Sequence, residues 1–195
     1  MKNILIVILL FLGAAHLASA KEDIRKATFA GGCFWCMEGP FDKLEGVLST
    51  TSGYIGGEST SPTYKAVSSG GTGHTEAVEV TFDANKVSYE KLLSVFWRNI
   101  DPTDNQGQFV DRGSQYRPGV FYYNESQKEL ARKSKLQLAE SKRFKKEIVV
   151  EITKAGVFYP AEEYHQDFYK KSPIRYKFYR FNSGRDQFLQ KYWKK

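Results

Sequence analysis

Cysteine and histidine are scarce in this chain, and their scarcity excludes several kinds of site. The 195 residues include two cysteines and three histidines. Both cysteines, Cys33 and Cys36, lie in one short stretch, GGCFWCMEGPF. A bridge between them would close too small a loop to restrict the unfolded chain, so we expect no stabilising disulfide framework. A CxxC pair is better suited to redox chemistry.

The same shortage argues against a bound metal or haem. A four-ligand zinc site needs a second pair of ligands, and the plausible partners, His74 and His165, lack the spacing of a zinc finger. Covalent haem attachment needs a histidine directly after the second cysteine, where this chain has Met37. The glycine-rich GGTGHTE stretch lacks the GK[ST] ending of a phosphate-binding loop. We therefore expect no bound cofactor and no metal.

Long apolar runs are confined to the N-terminus. Lys2 precedes the run ILIVILLFLGAAHLA, and residues 18–20 (ASA) have the small-residue pattern of a signal cleavage site. We interpret residues 1–20 as a signal peptide and residues 21–195 as a single domain, with an uncleaved anchor helix as the alternative. The expected location is the periplasm or the medium, without stable membrane insertion after cleavage.

Positive charge is in moderate excess. The formal net charge is +7, and much of the excess lies in residues 128–147 (KELARKSKLQLAESKRFKKE). We interpret this segment as a solvated helix face and expect no nucleic-acid partner.

Hydrophobic spacing predicts alternating strands and helices. The predicted strands cover residues 24–32, 74–83, 119–124 and 147–153, and the predicted helices cover residues 33–44, 88–100 and 125–143. This order predicts an α/β or α+β sandwich. The Gly/Ser/Thr-rich residues 47–73 are predicted to form a long loop that lines a site.

The candidate nucleophile is Cys33. The predicted turn at Gly31 and Gly32 would place it at a helix N-terminus, where free N–H groups and the helix dipole favour an anion and lower a thiol pKa. A buried, inert cysteine is the alternative. Cys36 lies one helical turn further on, so its sulfur could reach an oxidised Cys33. Its alternative role is that of a packed apolar residue.

Aromatic and polar side chains could complete a site around this sulfur. Phe34 and Trp35 would form an apolar wall suited to a methyl group; the alternative is that both rings, and Phe34 above all, belong to the core. Glu76 follows a glycine loop at the start of a strand, where burial would raise its pKa and make it an acid; a solvent-facing carboxylate is the alternative. Other loop residues could donate hydrogen bonds to a polar oxygen or orient the site: Tyr64, Asp111 and Tyr116.

Taken together, these stretches resemble the A-type methionine sulfoxide reductases (peptide-methionine (S)-S-oxide reductases). The motifs that carry the resemblance are GGCFWCMEGPF, GYIGG, SPTYKAVSSGGTGHTEAVEVTFD, DRGSQYRPGVFYY, FYPAEEYHQDFY and YRFNSGRDQFL. The resemblance implies a two-layer sandwich around a mixed sheet with a ferredoxin-like core. It also implies an enzyme that reduces the S epimer of methionine sulfoxide, free or in proteins.

The resemblance also implies a role for each site residue. Cys33 would attack the sulfoxide sulfur, which releases methionine and leaves a sulfenic acid. Phe34 and Trp35 would hold the ε-methyl group. The groups that bind and protonate the sulfoxide oxygen, or orient the polar side of the pocket, would be Glu76, Tyr64, Tyr116 and Asp111. A resolving thiol would then form a disulfide, which an external thioredoxin-like dithiol protein reduces.

The tail departs from the family pattern. Many members carry resolving cysteines near the C-terminus, and RFNSGRDQFLQKYWKK has none. Either Cys36 resolves the sulfenic acid or an external thiol does; we favour Cys36, one turn from Cys33, and expect a strained, easily reduced disulfide. The implied role is repair of oxidised exported proteins by a monomer. A thiol–disulfide oxidoreductase or redox-sensing binder is the rival interpretation of the motif.

Overall fold

A six-stranded mixed sheet forms the framework of the molecule. The computed structural model describes residues 21–193, so the predicted signal peptide lies outside the described residues. The described residues form eight strands, six of which belong to this sheet, while β4 and β5 form a separate ribbon. The strands are β1 (Ile24–Ala30), β2 (Val47–Ile55), β3 (Thr75–Asp83), β4 (Gly107–Gln108), β5 (Asp111–Arg112), β6 (Gly119–Tyr122), β7 (Glu151–Lys154) and β8 (Tyr159–Pro160).

Helices separate most of these strands along the chain. They are α1 (Phe34–Asp42), α2 (Tyr64–Ser68), α3 (Tyr89–Trp97), α4 (Glu125–Glu140), α5 (Phe168–Lys171), α6 (Pro173–Asn182) and α7 (Arg185–Trp193), with 3₁₀ turns at Ser114–Tyr116 and Glu163–His165. Over residues 21–193, no helix has the length and apolar character needed to cross a bilayer.

The strand order confirms the expected ferredoxin-like core. The sheet runs β7-β6-β1-β3-β2-β8, and β6 and β7 are the parallel pair among otherwise antiparallel neighbours. The segments β1-α1-β2-β3-α3-β6 give the βαββαβ order, with the strands arranged β6-β1-β3-β2. A separate two-stranded ribbon pairs β4 with β5.

Alternation along the strands divides the core into two parts. Val78, Val80 and Phe82 of β3 lie on the face that packs against the helices, as the sequence predicts, and Ala77 joins a smaller cluster on the other face. Phe29 of β1 joins the helical layer to the sheet by stacking on side chains of α1 and α3, with ring centroids 5.0 Å from Phe41 and 5.3 Å from Phe96. Each fully buried side chain of this size contributes about 2–3 kcal/mol.

The predicted loop over residues 47–73 is wrong in two places. Its first part is β2, a full strand whose small polar residues are accommodated because it pairs with β3 and β8. Gly53 suggested a loop, but a Cβ there would lie 2.4 Å from both the Phe158 ring and the Tyr159 carbonyl oxygen, so this glycine permits close packing. The later part contains α2, which Thr63 caps by accepting a hydrogen bond from the Ala66 N–H at 3.3 Å.

The remaining differences lie in the second half of the chain. The predicted strand over residues 147–153 is realised as the shorter β7, and the polar loop before β6 contains the β4–β5 ribbon. The aromatic tail forms α5, α6 and α7. No element was predicted there; α6 buries none of its residues fully, and its large apolar side chains Ile174, Phe178 and Phe181 are exposed.

Candidate active site

A glycine turn places Cys33 at the N-cap of α1, as predicted from the sequence. Gly32 has φ +78°, and a Cβ at this position would lie 2.6 Å from the Cβ of Gln108. The Gln108 amide is itself fixed, since its Oε1 accepts a hydrogen bond from the Asp101 N–H at 2.7 Å. Because a Cβ at position 32 would overlap this fixed Gln108 side chain, only glycine fits there. The Cys33 side chain is 7% exposed at the end of the turn.

The N-terminal N–H of α1 is taken by a carboxyl group and not by the sulfur. Phe34 N–H donates to Oε2 of Glu76 at 3.0 Å. Burial raises the pKa of the Cys33 thiol, and the neighbouring Cys36, Glu76 and Asp111 raise it further. The expected lowering of the Cys33 pKa is therefore wrong: Cys33 is a thiol in the free protein and needs an acceptor for its proton when it reacts.

Glu76 has the environment of a general acid. It lies near the start of β3 and is 1% exposed. Burial raises its pKa to about 8, with smaller contributions from the charges of Asp111 and Cys36, while the Phe34 N–H opposes the rise. The carboxyl group is thus largely protonated at neutral pH and lies beside the candidate nucleophile. The alternative of a solvent-facing carboxylate does not hold.

Phe34 and Trp35, the two aromatic residues predicted to form an apolar wall beside Cys33, occupy different positions. The Phe34 ring is fully buried, 5.0 Å from the His165 ring and 6.1 Å from the Tyr54 ring, so it also belongs to the core. Trp35 is half-buried and stacks on Phe168 with ring centroids 3.8 Å apart and planes 10° apart. This stacking holds the indole rigidly and leaves Trp35 as the more accessible aromatic surface.

The two predicted phenols both interact electrostatically with Glu76. Tyr64 begins α2 and Tyr116 ends a 3₁₀ turn, and each is half-buried. Burial raises the pKa of both hydroxyls, and the charge of Glu76 raises each further. Both phenols are therefore neutral hydrogen-bond donors over the physiological pH range.

Asp111 is held by a residue from the C-terminal region. The Tyr179 hydroxyl of α6 lies 2.5 Å from Oδ1 and 2.6 Å from Oδ2 of Asp111. Burial raises the pKa of this carboxyl group, and the Tyr179 hydroxyl opposes the rise. The edge of the Tyr179 ring also meets Trp35 at a centroid distance of 6.0 Å. Tyr179 thus joins the polar and aromatic sides of the site.

Cys36 is fully buried, and both cysteines are free thiols. The pKa of Cys36 is lowered to about 7, first by its hydrogen bond with Cys33 and then by the charges of Arg185 and Arg180, while burial opposes this change. The two thiols therefore interact, and the charges of the two arginines favour the thiolate form of Cys36.

Comparison with known proteins identifies the chemistry of this arrangement. A family model described as "Peptide methionine sulfoxide reductase" matches residues 25–195. The chain belongs to the peptide methionine sulfoxide reductase family. It is therefore an oxidoreductase whose substrate is methionine sulfoxide.

Relatives and solved structures agree with this assignment. The peptide methionine sulfoxide reductase MsrA of Listeria monocytogenes serotype 4a (strain HCC23) is 60% identical over 174 residues, which are 89% of this chain and 98% of the relative. That of Bacillus subtilis (strain 168) is 56% identical over 175 residues, which are 90% of this chain and 98% of the relative.

Among solved structures, Mxr1 from Saccharomyces cerevisiae in reduced form has a TM-score of 0.73 and 31% identity, covering 77% of this chain and 87% of that one. Methionine sulfoxide reductase A of Corynebacterium diphtheriae has a TM-score of 0.68 and 29% identity, covering 80% and 78%. The fold expected from the sequence is that of these reductases.

Several side chains of the reductase site were not predicted. The Tyr54 hydroxyl donates to Oε2 of Glu162 at 2.7 Å, and Oε1 of the same carboxylate accepts the Tyr64 N–H at 2.8 Å. The Trp35 indole N–H donates to Nδ1 of His165 at 3.2 Å. Burial lowers the pKa of His165, so the ring is neutral and its Nδ1 can accept. The FYPAEEYHQDFY motif contains Glu162 and His165 and was the available signal in the sequence, but it did not indicate what either residue does.

The described part of the reductase offers no metal site. Over residues 21–193, no group of three or more His, Cys, Asp or Glu side chains has an arrangement that could hold a metal ion. His74 and His165 serve structural contacts instead: His74 Nδ1 accepts the Gly57 N–H at 3.2 Å, and His165 contacts the Trp35 indole.

Proposed function

We propose that this reductase acts on the S epimer of methionine sulfoxide, free or in proteins, with Cys33 as nucleophile and Glu76 as acid. One observation carries the proposal: a buried carboxyl group with a pKa of about 8 shares the start of α1 with the Cys33 sulfur. A sulfoxide combines a polar S–O bond with an apolar methyl group. Trp35 and Phe34 offer an aromatic surface for the methyl group, and Glu76, Tyr64 and Tyr116 offer donors for the oxygen.

The first step converts thiol and sulfoxide into sulfenic acid and thioether. Glu76 donates its proton to the sulfoxide oxygen, which makes the sulfur electrophilic. The Cys33 sulfur attacks that sulfur, the oxygen is transferred to Cys33, and methionine leaves. The proton released by the Cys33 thiol replaces the one given by Glu76, so the acid is regenerated. Asp111, held by Tyr179, orients the polar side of the site.

The second step removes the oxygen from Cys33. The Cys36 sulfur attacks the sulfenic acid, an S–S bond forms, the S–O bond breaks, and the leaving hydroxide takes a proton to become water. An external thioredoxin-like dithiol protein then reduces the disulfide, so no bound cofactor is needed. Support for such a donor comes from a structural neighbour, Mxr1 from Saccharomyces cerevisiae, which has been solved in complex with Trx2.

The biological role that fits the sequence is repair of oxidised exported proteins. Residues 1–20 would direct export and be removed, and residues 21–195 would act as a monomeric single domain in the periplasm or outside the cell. The match to the family model begins at residue 25, which supports a separation between this leader and the catalytic domain.

Steady-state turnover of the two epimers tests the proposal. Residues 21–195 are incubated with dithiothreitol and the S or the R epimer of a blocked methionine sulfoxide, and methionine is measured. We expect turnover of the S epimer alone, and its loss in Cys33→Ser. Absence of S-epimer turnover, or undiminished turnover in Cys33→Ser, would contradict the proposal.

The rival interpretation, a thiol–disulfide oxidoreductase, predicts reduction of insulin disulfides. The buried acid Glu76 and the aromatic side chains of Phe34 and Trp35 suit a methyl sulfoxide, and the exchange of an insulin disulfide has no use for them. We expect negligible insulin reduction under conditions that support sulfoxide turnover.

A further inference from the structure

Helix α6 presents an apolar side to solvent and a polar side to the protein. Ile174, Phe178 and Phe181 are 85%, 72% and 63% exposed. Their spacing of four and three residues places them on one side of the helix, which we call the α6 stripe. The half-buried Tyr179 and Arg180 make hydrogen bonds to the rest of the molecule. This polarity is the reverse of that of an ordinary surface helix, and such an exposed apolar patch marks an interaction surface.

Positive charge flanks the α6 stripe, and no negative charge of the helix offsets it. The helix sequence, PIRYKFYRFN, contains three basic residues and no acidic residue. Arg175 and Lys177 are exposed, and the helical period places them on opposite flanks of the stripe. Among residues 21–193 neither of them forms an ion pair, whereas Arg180 pairs with Asp186. Arg175 and Lys177 are therefore available to an anionic partner.

Charge and shape favour a lipid surface over a second copy of the chain or a bound peptide. In a two-fold dimer through this side of α6, each cationic flank would meet an identical one, and α6 has no acid to compensate. Extended peptides are held at sheet edges or in grooves, whereas the stripe is the convex outer side of a helix. An apolar stripe flanked by cations is typical of helices that lie in a membrane interface, where the basic side chains attract anionic headgroups.

We propose that the α6 stripe, with Arg175 and Lys177, is a peripheral binding surface for anionic phospholipid membranes, on which α6 lies in the plane of the interface. The inference goes beyond the proposed function and does not depend on which thiol resolves Cys33. Because α6 also carries Tyr179, which contacts Asp111, the reductase site would be held about one helix diameter, roughly 10–12 Å, from the lipid. Oxidised methionines of proteins at the membrane surface would then be its accessible targets.

Co-sedimentation with vesicles tests the proposal. Residues 21–195 are the unit to use, because 174 residues of this chain match 98% of the Listeria monocytogenes relative. We expect binding to vesicles of phosphatidylglycerol and phosphatidylethanolamine and little binding to phosphatidylcholine alone. The binding should weaken in about 1 M salt, where the screening length is about 3 Å.

Substitutions in the two parts of the surface should each weaken this binding. The triple variant Ile174→Ser, Phe178→Ser, Phe181→Ser should lower the affinity for the anionic vesicles about tenfold or more, since no apolar side chain enters the lipid. Arg175→Gln with Lys177→Gln should lower it by a similar factor and reduce its dependence on salt. No binding of the wild type to anionic vesicles, or an unchanged affinity of the triple variant, would overturn the proposal.

Two double variants are the matched controls. Leu136→Ser with Val157→Ser replaces apolar residues that are 58% and 66% exposed elsewhere. Lys133→Gln with Lys145→Gln removes two charges from exposed lysines. Neither control should alter the vesicle affinity, and all variants should keep the urea unfolding midpoint of the wild type. Equal losses in the controls would overturn the proposal, whereas vesicle binding without sulfoxide turnover would contradict the proposed function alone.

A tryptophan on the stripe reports contact with lipid directly. Brominated acyl chains in anionic vesicles should quench the added indole of Phe178→Trp and not that of Val157→Trp, after subtraction of the three native tryptophans. Equal quenching of the two would overturn the proposal. So would a dimer that the triple serine variant dissociates, or a raised KM of that variant for an oxidised protein without vesicle binding. Those results would assign the stripe to a second copy or to a polypeptide.

Discussion

The chemistry of single residues in this reductase is set by burial more than by sequence neighbours. Glu76 shows this most clearly: its carboxyl group is an acid near neutral pH because β3 carries it into the interior, where the charged form loses its hydration. The same burial reverses the expectation for Cys33, whose pKa rises although it lies at a helix N-terminus. In the proposed first step the two groups therefore exchange protons: Glu76 protonates the sulfoxide oxygen and the Cys33 thiol returns a proton to Glu76.

Replacing Glu76 should remove both catalytic power and a feature of the pH profile. In Glu76→Gln the first-turnover rate should fall by about 10²-fold or more, since no acid protonates the sulfoxide oxygen. In the wild type this rate should decline as pH rises through about 8, where Glu76 loses its proton, and the decline should be absent from the variant. Stopped-flow measurement from acidic to alkaline pH tests both effects.

Glu79→Gln is the matched control for that experiment. Glu79 lies on the same strand and pairs with Lys26 on the surface, with 2.8 Å between Nζ and Oε1. The Glu79→Gln substitution should leave the first-turnover rate and its pH profile unaltered. A Glu76→Gln variant with a near wild-type rate, or with the alkaline decline intact, would remove Glu76 from the acid role.

Glu76→Gln should also stabilise the fold. The Glu76 pKa rises from its ordinary 4.5 to about 8 on folding. Below 4.5 both states hold the proton and the group has no effect; between 4.5 and 8 the native state alone retains it, so stability falls as pH rises. The slope is at most about 1.4 kcal/mol per pH unit. Urea unfolding should show that the free energy of unfolding of Glu76→Gln rises relative to that of the wild type between pH 4.5 and about 8. A difference that stays constant with pH would contradict the raised pKa of Glu76.

At the scale of elements, the turn before α1 is the part that admits least change. It carries Cys33, lies over Arg185, and packs against Gln108. Gly32 and Gly71 have similar positive φ angles, +78° and +84°, but a Cβ at Gly71 would meet nothing within 4 Å. A comparison of alanine substitutions at these two glycines therefore separates the cost of a left-handed backbone from the cost of steric overlap.

Gly32→Ala should be more harmful than Gly71→Ala. Both variants incur the cost of a left-handed alanine, about 1 kcal/mol. Gly32→Ala adds the overlap with the Gln108 Cβ, a further roughly 1–3 kcal/mol, and displaces the nucleophile. Urea unfolding and first-turnover rates should show the extra loss at Gly32 alone. Equal losses in the two variants would mean that the turn can relax.

Elements with a clear hydrophobic period could be predicted from the sequence, and those built on long-range contacts could not. Helix α3, with Ser88 as its cap and a buried apolar stripe, was predicted because local spacing determines it. Strand β2 was missed because its pairing with β3 and β8 compensates for its weak apolar alternation. The roles of Tyr179 and Arg185 depend on partners far away in the chain, Asp111 and Gly31, which no local pattern reveals.

At the scale of the whole molecule, a ferredoxin-like core holds the site and the C-terminal helices complete it. The core supplies Cys33 and Cys36 from the start of α1 and Glu76 from β3, whereas α6 and α7 supply Tyr179 and Arg185. The motif resemblance identified the core residues, which lie in contiguous stretches. It did not assign a role to the tail, where the Tyr179 hydroxyl contacts Asp111 and Arg185 donates to the Gly31 carbonyl oxygen.

Export is the property of the whole chain that most needs testing. When the full chain is produced in a Gram-negative host, we expect a periplasmic protein that begins at Lys21, because residues 18–20 have a small-residue cleavage pattern. A chain beginning at Lys21 after an initiator methionine should stay in the cytoplasm, and bulky residues at Ala18 and Ala20 should block processing. Fractionation with N-terminal sequencing decides the matter. An intact leader in the membrane fraction would favour the anchor helix, and one in the cytoplasm would contradict export.

In the proposed mechanism, oxygen passes from the substrate to Cys33 and is then removed by Cys36. Mass spectrometry of the reduced protein after one equivalent of the S sulfoxide tests it most directly. We predict a Cys33–Cys36 disulfide in the wild type and a dimedone-trapped sulfenic acid at Cys33 in Cys36→Ser. Methionine formed while both cysteines remain thiols, or a sulfenic acid found on Cys36, would contradict the mechanism.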